Sequence, residues 1–207
     1  MTICSGWPRF FCKVRPNVVT DELARQLVDA GLLSVGIGIE SGNETMRNKI
    51  LERNISEDQI LSACHAFRER GTRIKTYNML GLPGETYGMA KETLDLNVRG
   101  NVDYALTMLL QPFPGTEIAR RAMEMGVFDG NFNAISSSYF YSSPFRFPDK
   151  RDKRRIVNLQ RLFAIAVDYP EVRRFIDRLV DVPETDFYVH LFRTYNRFAF
   201  YNKFYRL

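Results

Sequence analysis

The sequence predicts an α/β fold: part of a TIM-like (β/α) barrel, about four parallel strands with their helices, followed by a helical C-terminal extension. Three observations predict it. Short apolar runs alternate with amphipathic stretches, and the runs start roughly 25–40 residues apart, the length of a βαβ unit. One run, SVGIGIE (34–40), puts Val35, Ile37 and Ile39 on one face and Gly36, Gly38 and Glu40 on the other. An apolar face suits covering helices, and a face of two glycines and a carboxylate suits a lumen that holds a ligand. Finally, strand-like alternation stops near residue 131, and proline-punctuated helical stretches follow.

In order, RFFCKVR (9–15) is a strand stopped by Pro16. Thr20 caps a helix in which Leu23, Leu27 and Ala30 share a face and Gly31 ends the run. The strand 34–40 follows. Ser56 caps a helix through Arg70 with Ile60, Leu61, Ala63, Cys64 and Phe67 on its apolar side. RIKTYNML (73–80) is the third strand, 86–98 a helix, DYALTMLLQ (103–111) the fourth strand, and 116–125 a helix stopped by Gly126. Residues 131–150, rich in Ser and Pro, divide a domain over 1–130 from an extension over 151–207. The extension reads as helices over 150–169, 170–182 and 184 to the end.

The composition is that of a globular protein: 207 residues, 45% hydrophobic and 26% charged. This excludes disordered, collagen-like and disulfide-scaffold classes. No run of 18 apolar residues exists, and MTICSGWPRFF lacks the features of a secretory signal, so a cytoplasmic protein is expected. Charge is uneven. Residues 1–144 hold 15 Lys/Arg and 16 Asp/Glu, whereas 145–207 hold 14 and 8; 18 of the 27 aromatic residues lie from Phe132 onward. Cys12 shares a face with Phe10 and Val14, the pattern of a buried, inert thiol. His65 and His190 lack a second ligand type at helical spacing, so a histidine metal site is not expected.

The informative residues come just after strands: GIESGNE (38–44), MLGLPGET (79–86) and QPFPGT (111–116). In a parallel barrel the C-terminal strand ends build the site. Glycine- and proline-rich turns there offer bare backbone groups to a nucleobase and ribose. The ordered set FxCxxRPNxxTxELxxxLxxAG, GIESGNE, GLPGET and PFPGT, from about Trp7 to Gly126, resembles the radical S-adenosylmethionine (SAM) superfamily. It looks most like the branch usually fused to a cobalamin-binding domain. The resemblance implies a partial barrel holding a four-iron four-sulfur cluster and SAM at the strand ends. It assigns polar SAM contacts to Glu40, Ser41 and Gly42, adenine contacts to Met79, Leu80 and Gly81, closure of the adenine pocket to Leu110 and Gln111, and a lumen-facing cation to Arg15.

The family's Cys-x-x-x-Cys-x-x-Cys loop is absent. Cys4 and Cys12 are separated by seven residues, and Cys64 falls in a helix. The visible strands match the family's strands three to six. The expectation is therefore a fragment contributing the SAM nucleoside pocket and part of the wall for a small-molecule substrate. The cluster ligands, and possibly cobalamin, would belong to a missing N-terminal barrel and cobalamin-binding segment. The alternative is a non-catalytic or split half-barrel that binds a nucleotide-like ligand or completes a partner's barrel. In the tail, two aromatic rows, one through Phe192, Tyr195 and Ala199 and one through Phe198 and Tyr201, nearly wrap the helix. That favours a cap packed on the barrel. Peripheral membrane contact stays open, and nucleic acid is disfavoured.

Overall fold

The computed structural model describes residues 9–135, 140, 142–147 and 149–205. Four strands, β1 (Phe10–Val14), β2 (Leu32–Glu40), β3 (Arg73–Leu80) and β4 (Tyr104–Leu109), are parallel and lie in sequence order. One helix joins each pair: α1 (Asp21–Asp29), α2 (Glu57–Arg68) and α3 (Tyr87–Arg99). Sequential order with no reversal is barrel topology; a doubly wound sheet reverses at a switch point. The helix starts are set by local chemistry. Thr20 accepts from the Leu23 N–H, Thr86 from that of Met89, and Ser56 forms a reciprocal capping box with Gln59.

The register divides the sheet as the alternation in β2 requires. Val35, Ile37, Ile74, Leu80 and Leu109 face the helices and are fully buried with Ile60, Phe67, Ala90 and Leu94. A polar ladder runs through this core. Thr76 Oγ1 donates to Asn97 Oδ1 (2.5 Å), and Asn97 Nδ2 donates to Asn78 Oδ1 and to the Thr93 carbonyl (both 2.8 Å). Buried polar groups must be paired, and these pairs fix the rotation of α3 over β3.

After β4 the chain forms α4 (Glu117–Glu124), then crosses the strand ends. There Phe128, Phe132 and Phe145 make a small separate core. Phe145 is buried although it lies in the segment expected as a linker. The extension follows as α5 (Lys150–Asp168), α6 (Pro170–Arg174), α7 (Ile176–Leu179) and α8 (Asp186–Phe200), close to the expected breaks. α5 packs on β4 and α3, where Gln160 Nε2 donates to the Thr107 carbonyl (3.0 Å). α8 lies on α5 and brings Phe200 against Tyr104, whose hydroxyl donates to Asn196 Oδ1 (2.8 Å).

The tail differs from expectation in one respect. Phe192 and Ala199 are buried, but Phe198 and Tyr201 are 61% and 60% exposed. One face of α8 packs toward α5 and β4, and the second row lies mostly outside that contact.

Among the described glycines the closest seating is at Gly42. A Cβ there would stand 2.2 Å from the Glu92 carbonyl oxygen and 2.5 Å from Thr93 Cα. Both are helix backbone and cannot swing aside. Gly42→Ala should therefore destabilise by at least about 1–3 kcal/mol, lowering the melting temperature by several degrees. Thermal unfolding of the variant checks this, and an unchanged midpoint would contradict it.

Candidate functional site

The strand ends meet at one edge of the sheet. β2 ends in a three-residue turn: the Ser41 N–H donates to the Ile39 carbonyl (2.9 Å) around Glu40, whose φ is +65°. A glutamate at positive φ is uncommon and persists only when its surroundings enforce it. Here Arg47, wholly buried, enforces it. Its Nη1 donates to the carbonyls of Ser41 (2.8 Å) and Gly42 (3.0 Å), and its Nε donates to that of Ile55 (2.7 Å). The Gly42 N–H is taken by Thr93 Oγ1 (2.8 Å). Gly42 is thus committed to packing on α3.

The turn aims the Glu40 carboxylate back over Gly38, where a Cβ would lie 2.8 Å from Oε1. Arg53 Nη2 stands 3.3 Å from that oxygen, and Arg15 Nη2 donates to the Arg53 carbonyl (2.7 Å). Burial pushes the Glu40 carboxyl up, and Arg53 partly offsets it. Arg15 is exposed beside this pair. Ser41 Oγ is buried and has no hydrogen-bond partner.

The second turn, 81–84, is organised by Glu85. Its Oε2 accepts the N–H groups of Gly81 (2.5 Å) and Leu82 (3.1 Å), while Oε1 is buried and unpaired. The Gly81 N–H is therefore used within the turn. Leu80 is in the core, and Met79 lies half-buried on the opposite, open face of β3. In the third turn Gln111 Nε2 donates to the Ser142 carbonyl (2.7 Å), and Leu110 is half-buried, packed beside the Phe128–Phe145 core. α4 ties the first turn to the third: Arg121 donates to the Lys49 carbonyl (2.7 Å) and pairs with Glu52.

Arg47, Arg53 and Glu85 were not singled out in the sequence. Their signals were local: an arginine five residues after Gly42, another thirteen residues after Glu40, and the acid that closes GLPGE. None of these predicts burial. The thiols behave as expected where described. Cys12 packs beside the core with its pKa raised by burial, Cys64 is pushed up to about 12, and Cys4 lies outside the described residues. Among the described residues no group of three His, Cys, Asp or Glu side chains could hold a metal. These residues do not fit an iron–sulfur cluster.

Burial raises the Glu85 carboxyl to about 8 from an ordinary 4.5. An acid held above its unfolded value binds its proton more tightly when native, so its contribution is full below pH 4.5 and is lost as pH rises toward 8. Glu85→Gln keeps an acceptor for both N–H groups without the proton. Denaturant unfolding at pH 5 and pH 8 should show the wild type losing more stability than the variant, by up to about 1.4 kcal/mol per pH unit. Equal losses would show that Glu85 ionises freely in the fold.

Residues 4–96 match the radical SAM superfamily. An uncharacterized methyltransferase from Pyrococcus horikoshii is 24% identical over 104 residues, 50% of this chain and 22% of that protein. Coproporphyrinogen III oxidase from Escherichia coli, a radical SAM enzyme, shares the fold with a TM-score of 0.54 at 17% identity, over 80% of this chain and 32% of that one. The radical SAM methyltransferase TsrM from Kitasatospora setae, solved with cobalamin and a four-iron four-sulfur cluster, gives a TM-score of 0.48 at 22% identity, over 53% of this chain and 22% of that one. The chain thus spans no more than about a third of any of these proteins. Among the described residues no helix is long and apolar enough to cross a membrane. The parallel sheet in barrel order and the run of strand-end turns agree with the sequence match, which relates residues 4–96, just under half of the chain, to the radical SAM superfamily.

Proposed function

We propose that the chain forms the SAM nucleoside pocket and part of the substrate wall of a radical SAM enzyme whose cluster ligands lie outside the residues described. Glu40 carries the reading: a partly desolvated carboxylate, held in a strained turn over a glycine at a strand end, where only a small part of its surface meets solvent. A charge so placed suits a ribose hydroxyl or an ammonium group better than it suits folding. Ser41 Oγ, buried and unpaired, adds a second polar contact, and Met79 and Leu110 supply apolar surface for a base. With an electron from a reduced cluster held elsewhere in the complete protein, bound SAM would supply radical hydrogen abstraction or methyl transfer, and this chain's residues would bind it, orient it and keep water from it. The methyltransferase relative and the order of the strand-end motifs favour methyl transfer with cobalamin in the complete protein.

The missing cluster ligands favour a second reading, a half-barrel module that binds a nucleotide-like ligand without reacting it. Both readings place a nucleoside at Glu40, and they part on whether a preceding Cys-x-x-x-Cys-x-x-Cys segment restores SAM cleavage. Calorimetric titration with S-adenosylhomocysteine tests the shared element. Glu40→Gln should weaken binding by about 1.5–3 kcal/mol, roughly 10- to 100-fold, with the melting temperature little changed. Unaltered affinity would return Glu40 to a structural partner of Arg53.

A further inference from the structure

The open face of the sheet carries a second group of residues that the nucleoside site does not use. Lys13, Gly36, Lys75 and Tyr104 occupy one row across the four strands. The two lysines are two strands apart, about 10 Å between Cα atoms at ordinary strand spacing. In that row only Gly36 stands between them, and it carries no side chain. Gly36 lets two rings lie close to the backbone: a Cβ there would meet Tyr77 Cε2 at 2.8 Å and Phe11 Cζ at 2.9 Å. Both ammonium groups lean toward Tyr77, Lys13 Nζ at 4.7 Å and Lys75 Nζ at 5.0 Å from its ring centroid; Lys75 is also 4.7 Å from the Phe200 ring.

Among the described residues neither lysine has a hydrogen-bond or ion-pair partner. The nearby acids are already paired: Asp168 with Lys203 (2.6 Å), Asp103 with Arg68 (2.7 Å), and Glu40 with Arg53. Burial and the neighbouring Lys13 both depress the Lys75 pKa. Two cations facing one ring repel each other, and among the described residues no carboxylate is paired with either of them. Phe11, 45% exposed, extends the aromatic floor toward the β1 edge.

We propose that Lys13 and Lys75, with Phe11 and Tyr77 as floor, form a site for the anionic group of the substrate, a carboxylate or phosphate on a flat apolar body. The proposal rests on reading the open face as the substrate wall. An anionic group held beside the Tyr77 ring would offset the repulsion of the two ammonium groups, and the attached apolar body would stack on the exposed ring surface. Arg73, also on this face, is turned to the Lys203 carbonyl (2.7 Å), and Arg15 to that of Arg53, so neither competes for the anion.

The test is NMR of the chain with its lysines reductively ¹³C-dimethylated, which keeps their charge. Phenyl phosphate, benzoate and uncharged benzyl alcohol are titrated in turn. The Lys13 and Lys75 signals should move together and saturate with at least one anion, the tighter of the two naming the group. Lys49 and Lys91 should not follow, and benzyl alcohol should leave the pair unmoved. Lys13→Met, at an exposed position where folding is not at stake, should weaken the anion by about tenfold as read at Lys75, and Lys75→Met likewise as read at Lys13. Uniform shifts at all lysines, or equal effects of the alcohol, would overturn the proposal. S-adenosylhomocysteine binding separates the two readings. Anions bound without it sink the nucleoside pocket alone, and the reverse sinks this site alone.

Discussion

The backbone of Ser41–Gly42 rests directly on the backbone of α3, and the rest of the site depends on that contact. With no side chain at Gly42, the turn after β2 approaches helix α3 closely enough for its N–H to reach Thr93 Oγ1. The same helix residue, through its carbonyl, holds Asn97, which holds Asn78 and Thr76 of β3. One chain of polar contacts thus sets the distance between β2's end, α3 and β3. Buried Arg47 completes it by taking the carbonyls of Ser41 and Gly42, so that Glu40 has no freedom to relax its positive φ.

The two sheet faces have opposite physics. The helix-covered face is apolar, and its polar ladder of Thr76, Asn78, Thr93 and Asn97 is internally paired, which stabilises. Among the described residues the open face has two lysines without acids, a carboxylate above a glycine that meets only Arg53, and a floor of partly exposed rings. Such surfaces are poor folding devices, because charge and apolar area are both left unsatisfied. Their concentration on one face is the observation on which the proposed site rests. The extension takes part in this division: α8 encloses Tyr104 and delivers Phe200 to Lys75, closing the β4 side while the β1 side stays open.

The turns at the strand ends also serve unequal roles. In GLPGE the acid folds back on its own turn, so the motif builds a rigid backbone corner. In GIESG the acid points away from its turn and meets Arg53, thirteen residues on, at 3.3 Å. Motifs of similar composition thus yield one carboxylate spent on its own turn and one paired outside it. The difference lies in which backbone N–H groups remain unpaired after the strand ends.

Periodicity and punctuation by themselves determined the strands, the crossover helices with their caps, the breaks at Pro170 and Pro183, and the face on which each strand residue lies. These are local properties: alternation selects a face, and a Thr or Ser before an amphipathic run satisfies the first free N–H groups. Glu40 was legible as a strand-end carboxylate for the same reason. Its partner Arg53, the burial of Arg47 and Glu85, the close seating of Gly42 and the meeting of Lys13 with Lys75 were decided only by the tertiary structure. Each joins residues that are neighbours through a turn, a helix surface or a strand register, and no local pattern encodes those distances. Nor could the tail's composition tell that one aromatic row would be buried and the other left in solvent, since that depends on how much of α8 the surface of α5 and β4 can cover.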